Sequence, residues 1–262
     1  MINSIRLAFA MFSRVPTGNP DWSERNMRYM LCAFPLVGVL IGALELLWLW
    51  ATTLLPLNPI IRALGVTLIP IAVTGGIHLD GFCDAADALA SHAPPERKRE
   101  ILKDPRAGAF AIIALGVWLL SYFALSESLL ILRFDRHGLR YTAPFALGFV
   151  LSRTLSALAV LNFPSSKSGL ARSFNEAANK RTATVILVAI LILCAAALIL
   201  LFPLPGVAIL AASVACFAYL KVMSHRQFGG MSGDLAGYFL QICELLQLLA
   251  LVLSWEALPW FS

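Results

Sequence analysis

Hydrophobic positions in this chain come in long unbroken runs rather than in the alternation of a half-buried strand or the narrow stripe of a surface helix. Seven such runs stand out. They cover about Arg28 to Leu54, Ile60 to Gly75, Gly108 to Ser126, Leu139 to Leu161, Thr182 to Phe202, Val207 to Met223 and Ser232 to Trp255. Several approach the roughly 20 apolar residues that a spanning helix needs. The pattern predicts an all-α, polytopic integral membrane bundle of about seven spans, forming one membrane-embedded domain over residues 1–262. The "FPLPG" stretch reads as a tight turn between the fifth and sixth helices, because proline does not continue a helix. Ahead of the first run, "MINSIRLAFAMFSRVPTG" reads as an amphipathic interfacial helix. Arg14 interrupts the apolar stretch, and no small-residue cleavage site follows as it would in a signal peptide.

Composition supports this class. Hydrophobic residues make up 59% of the chain and charged residues 13%, about half the charged share of a soluble domain. The formal net charge of +5 fits anchoring at an anionic leaflet. No basic stripe interleaved with aromatics points to nucleic acid. The five cysteines are scattered without a CxxC pair, which supports neither a disulfide framework nor a zinc site.

Charge also orients the bundle. With the N-terminus in the cytoplasm, fifteen of the 20 basic residues fall on inside segments: Arg6 to Arg28, Arg97 to Arg106, Lys167 to Arg181, and Lys221 with Arg226. This predicts N-in, C-out. The "RFDRHGLR" loop, with Arg133, Arg136 and Arg140 outside, runs against the rule. All the unusual polar segments then share the cytoplasmic face, at residues 76–107, 162–181 and 224–234. A site facing the cytoplasm is expected where they converge.

The densest of these segments is "TGGIHLDGFCDAADALAS". On a helix, Asp80, Asp84 and Asp87 fall at i, i+4 and i+7 and share a face. Three like charges on one stripe repel, so a cation is expected among them. Mg²⁺ is the economical candidate, because it is bound through one or two carboxylates and completed by substrate phosphates. That arrangement suits a diphosphate. The bland alternative is a solvated helix face at the membrane edge. Gly76 and Gly81 permit close backbone approach. His78 is open between a metal ligand or proton carrier and an ordinary interfacial histidine. In "ILKDPRAGAF", Asp104 offers a fourth carboxylate, and Lys103 and Arg106 are suited to phosphate oxygens.

A second segment, "HRQFGGMSGDLAG", carries Gly229, Gly233 and Gly237 at small-xxx-small spacing, which reads as membrane helix packing. Asp234 at the start of an apolar helix is either a site residue or a helix cap. Two Gly-containing polar segments at one face would each expose backbone that lipid does not satisfy. Asp234 is therefore expected to face the Asp80–Asp87 stripe across one cleft, with Ser232 and the amides after Gly230 on the phosphate side. Glu244, deeper in the same helix, needs a buried partner, and Arg153 is the candidate.

Taken together, "GGIHLDGFCDAADALAS", "ILKDPRAGAFAIIAL" and "GGMSGDLAGYFLQICELLQLL" resemble the cobalamin synthase family of adenosylcobinamide-GDP ribazoletransferases. "FAMFSRVP" and "FPLVGVLIG" resemble its N-terminal signature. Ala88 stands where the pattern has Gly, Ala109-Phe110 replaces a second glycine, and residues 110–220 carry few family marks. The resemblance implies a Mg²⁺-dependent transferase. It would join a nucleotide-activated corrinoid to α-ribazole or its 5′-phosphate, releasing GMP. Two other readings remain. One is another membrane enzyme acting on diphosphates, of the CDP-alcohol phosphotransferase or prenyltransferase kind. Its Ala-Arg pair is absent, since Cys83-Asp84 stands in that place. The other is a transporter, for which no repeated halves are visible.

Overall fold

A computed structural model describes residues 2–55, 57–133, 138–165 and 170–257. Twelve helices follow one another among them: α1 (Ile2–Phe12), α2 (Glu24–Met27), α3 (Met30–Thr53), α4 (Pro59–Thr74), α5 (Ile77–Ala90), α6 (Pro95–Ile101), α7 (Ala109–Arg133), α8 (Gly138–Asn162), α9 (Leu170–Ala177), α10 (Lys180–Leu201), α11 (Pro203–Phe228) and α12 (Gly233–Ala257). The only extended pairing among described residues is an isolated parallel bridge between Ser165 and Met231.

Six helices (α3, α7, α8, α10, α11 and α12) are long and apolar enough to cross a membrane. The expected second span behaves differently. α4 and α5 pass that test only as a pair, and they meet at 94°. The bend comes from Gly75 and Gly76, whose φ values of 65° and 81° lie in the left-handed region that glycine enters without steric cost. The count is therefore six, or seven with the bent pair taken as one span. The "RFDRHGLR" stretch lies partly outside the described residues.

The turn expected over "FPLPG" is narrower than that, a single residue, Phe202. α10 ends at Leu201 and α11 begins at Pro203, leaving Phe202 alone between them. Pro203 and Pro205 occupy the first turn of α11, where the missing N–H would have had no helical partner. The sixth helix accordingly starts four residues earlier than the hydropathy suggests.

α8 is the central post. Most of its apolar stretch (89%) is buried, against 17% for α10, where Leu187 and Leu198 face inward but Ile192, Leu193, Leu200 and Leu201 are exposed. α3 crosses α8 at Gly38 and Gly42. A methyl group on Gly42 would stand 2.7 Å from the Ala146 carbonyl oxygen, and one on Gly38 would strike the Phe149 carbonyl. Small residues four apart allow two backbones to meet, the usual device where lipid supplies no hydrophobic drive for helix association.

A buried ionic pair joins α8 to α12. The Arg153 guanidinium donates to Glu244 and to Ser152 Oγ (3.0 Å), and Ser152 Oγ donates to the same carboxylate (3.1 Å). Glu244 thus has the partner that its sequence position calls for.

Candidate functional site

The site forms where α5 crosses α12. A methyl group on Gly81 would lie 2.8 Å from both Cα and the carbonyl oxygen of Asp234. One on Gly237 would lie 2.8 Å from the His78 carbonyl oxygen. The helices are thus in backbone contact, one glycine from each, so Asp80 and Asp234 open on one cavity. The two polar segments meet although more than a hundred residues separate them.

The small-residue ladder resolves differently from its spacing. Gly229 ends α11 with φ 69° and Gly233 opens α12, so the three glycines do not share one helix. Only Gly237 packs against another helix. Gly229 and Gly230 serve the turn instead. Gly230 has φ 152°, and a methyl group there would meet Pro164 and Ser165 at 2.8 Å. The Met231 N–H donates to the Pro164 carbonyl (2.7 Å), which ties this turn to the end of α8.

At the head of α12 the cap is Ser232. Its Oγ accepts the Leu235 N–H (3.3 Å) and lies 3.5 Å from Asp234 Oδ2. Asp234 is therefore not needed to cap the first turn, and its carboxylate lines the cavity.

The remaining acids take separate positions. Asp80, Asp84 and Asp87 follow one stripe of α5, and the charges of Asp80, Asp234 and Asp87 all reach Asp84. Asp87 turns toward the start of α7, where its Oδ1 accepts the Ala111 N–H (3.3 Å) and its carboxylate fills the space over Gly108. Asp104 is held within its own loop. It accepts from Arg106 Nε (3.0 Å), Nη2 (2.9 Å) and backbone N–H (3.1 Å), and the side-chain hydrogen bonds, more than the backbone one, bring its carboxyl down to about 2. That pair is exposed, and neither Asp104 nor Arg106 lines the cavity.

The cavity holds about 400 Å³. Its polar end carries Asp80, Asp234, Ser232, Gly230 and Lys103, together with Arg99. No motif in the sequence marks Arg99. It is placed by α6, which docks on the end of α11: Arg99 Nη1 donates to the Phe228 carbonyl (3.1 Å) and Lys98 Nζ to Gln227 Oε1 (2.5 Å). The apolar end is lined by Phe12, Phe34 and Phe174, from α1, α3 and α9. His78 belongs with these rings. It is buried, its ring is 6.4 Å from Phe12 and 5.7 Å from Phe34, and its Nε2 has no hydrogen-bond partner among the described residues.

The carboxylates that a cation would meet here are Asp80 and Asp234, which line the cavity, and Asp84, one turn along α5 from Asp80. No three His, Cys, Asp or Glu side chains among the described residues are gathered into a ready-made cage. Mg²⁺ seldom uses one; it keeps waters and takes one or two carboxylates plus phosphate oxygens. The ion pairs formed among described residues leave out Asp80, Asp84 and Asp234, so these carboxylates remain as oxygen donors.

The sequence profile described as cobalamin-5-phosphate synthase matches residues 4–252. An adenosylcobinamide-GDP ribazoletransferase of Lachnoclostridium phytofermentans is 42% identical over 97% of this chain and 94% of its own length. Proteins with the same name from Geobacillus kaustophilus and Clostridium perfringens are 34% and 31% identical, over 91% and 95% of this chain and 91% and 96% of theirs. No solved structure matches. The match covers the glycine-built crossing of α5 and α12, the α6 docking and the bent pair alike, and the chain belongs to the cobalamin-5-phosphate synthase family.

Proposed function

We propose that this chain is an adenosylcobinamide-GDP ribazoletransferase of the prokaryotic inner membrane, with its cleft open to the cytoplasm. It would join adenosylcobinamide-GDP to α-ribazole, or to α-ribazole 5′-phosphate, and release GMP. The observation that carries this reading is the backbone contact at Gly81 and Asp234, which sets two acids against a basic rim in a single cavity. Relatives that align over nearly their full length bear the name of that activity.

The reaction asks little covalent chemistry of the protein. An alcohol oxygen of α-ribazole attacks the phosphorus on the cobinamide side of the diphosphate. A new P–O bond forms there, the P–O bond to GMP breaks, and the hydroxyl proton is lost. Asp234 lines the cavity outside the ion pairs formed among described residues, and is the base that takes this proton. Lys103 and Arg99 meet phosphate oxygens, and the turn at Gly230 and Ser232 brings backbone within reach of them. Asp80 and Asp84 would hold Mg²⁺. When bound, the ion neutralises diphosphate charge and stabilises the charge that builds on departing GMP. His78 packs against the apolar end and keeps that wall in place.

The test is an assay of purified protein with adenosylcobinamide-GDP and α-ribazole, with and without Mg²⁺. The reading expects GMP and a cobamide in equal amounts, only when both substrates and the metal are present. GMP released without α-ribazole, or no product under any condition, would contradict it.

A further inference from the structure

The cavity has two unlike ends, and its size restricts what enters. About 400 Å³ lies in the range of pockets that bury a drug-sized ligand. A nucleoside falls within that range. A corrin macrocycle with its amide arms and an attached nucleotide is far larger and does not. Of the two substrates proposed above, only the nucleoside fits inside.

The apolar end has the geometry for a planar base. Phe12 and Phe34 lie 4.2 Å apart between ring centroids with their planes 36° from parallel, and Phe174 meets Phe12 edge-on at 6.5 Å. Such arrangements present aromatic faces and edges that favour a further flat ring. Leu31 and Leu240 close the same end. His78 borders it with a buried Nε2 that lacks a partner among the described residues. Buried polar atoms are rarely left unpaired, and a heteroaromatic base carries the ring nitrogen that would pair with it. The same cavity is also lined by the acids and the basic side chains. A base seated against the phenylalanines directs its ribose hydroxyls toward Asp80 and Asp234.

We propose that this cavity is the seat of the nucleoside acceptor, with its base against the Phe12–Phe34–Phe174 wall, and that the corrinoid stays outside and extends only its diphosphate to the acids. The inference rests on the transferase reading. It also accounts for α1, because the N-terminal helix ends in Phe12 and that ring forms part of the wall. Phe12, Phe34 and Phe174 are then specificity-determining residues for the base.

The experiment is steady-state kinetics of the purified chain carrying Phe12→Leu or Phe174→Leu, with α-ribazole and with a smaller imidazole nucleoside as competing acceptors. The expected result is a KM for α-ribazole raised about tenfold, from lost ring contact. The KM for adenosylcobinamide-GDP stays unchanged, and the preference for α-ribazole over the imidazole nucleoside falls. A raised KM for the corrinoid with unchanged acceptor preference overturns the assignment. Should the leucine variants not fold, saturation-transfer NMR of α-ribazole with the wild-type protein decides. Binding without corrinoid, with saturation strongest on the base protons, supports the proposal, and no binding without corrinoid refutes it. Failure of the transferase reading itself shows separately, as wild-type protein that makes no product from either nucleoside.

Discussion

Gly81 offers the sharpest perturbation, because one methyl group there acts on the crossing and on nothing else. In Gly81→Ala the new carbon would sit 2.8 Å from Asp234 Cα and its carbonyl oxygen, whereas ordinary contacts begin at 3.4 Å. α5 must therefore retreat from α12 by at least about 0.6 Å, and both partners are backbone, so no side chain swings aside. Overpacking of this kind costs about 1–3 kcal/mol, and replacing a helical glycine returns about 1 kcal/mol. The net loss of stability is about 0–2 kcal/mol. Activity is more sensitive, since about 1 Å of misplacement in a catalytic constellation costs up to about a hundredfold. The expected result is a kcat lowered about tenfold or more with a small change in thermal midpoint, read from GMP release and from melting in detergent. Gly116→Ala on α7 meets open space and serves as the control that leaves kcat unchanged and does not lower the thermal midpoint. A Gly81→Ala enzyme with wild-type kcat would refute the claim that this crossing sets the geometry of the acids.

Asp234→Asn should keep its melting temperature and lose most of its kcat, because Ser232 supplies the helix cap; unchanged activity would return Asp234 to a structural role. Arg153→Met should destabilise by about 3–5 kcal/mol, the cost of leaving a buried carboxylate unpaired, and Arg153→Met with Glu244→Leu should recover much of that loss in a denaturation series. In the Ser262→Cys protein, an impermeant thiol reagent should react from the outside of intact cells only if the bent α4–α5 pair counts as a seventh span and the N-terminus is inside; labelling from the cytoplasmic side alone would remove that pair from the count of spans.

Much of this architecture is legible in the sequence because lipid enforces it. A spanning helix must be long and apolar, so all seven predicted runs correspond to helices, although the bounds of α11 differ by four and five residues and α4 is too short to span alone. The exceptions have local causes. At α11 the prolines resemble a stop, but the first turn of a helix tolerates them. At α4 the run is too short to span alone, and the Gly75-Gly76 pair bends it through φ angles that a glycine pair permits but does not announce. The acids Asp80 and Asp234 are legible as a pair, because two polar, glycine-containing segments must cover one another. Their partners are not. That Asp87 reaches the α7 start and that Asp104 closes on Arg106 depend on tertiary placement that spacing does not encode. The aromatic wall is least visible, since Phe12, Phe34 and Phe174 come from three separate elements and each resembles an ordinary core residue. Glu45, buried on α3 with neither carboxylate oxygen hydrogen-bonded to a described residue, carries no motif that would mark it either.

The central claim is that an acid on α5 serves the transfer of a corrinoid phosphate to α-ribazole in the cleft shared with α12. The most direct measurement is single-turnover release of GMP by wild-type and Asp80→Asn proteins side by side, from adenosylcobinamide-GDP and α-ribazole at saturating Mg²⁺. The account predicts stoichiometric release by the wild type and a rate lowered by about a hundredfold or more in the variant, with the melting temperature unchanged. A variant that releases GMP and forms cobamide at the wild-type rate would contradict it.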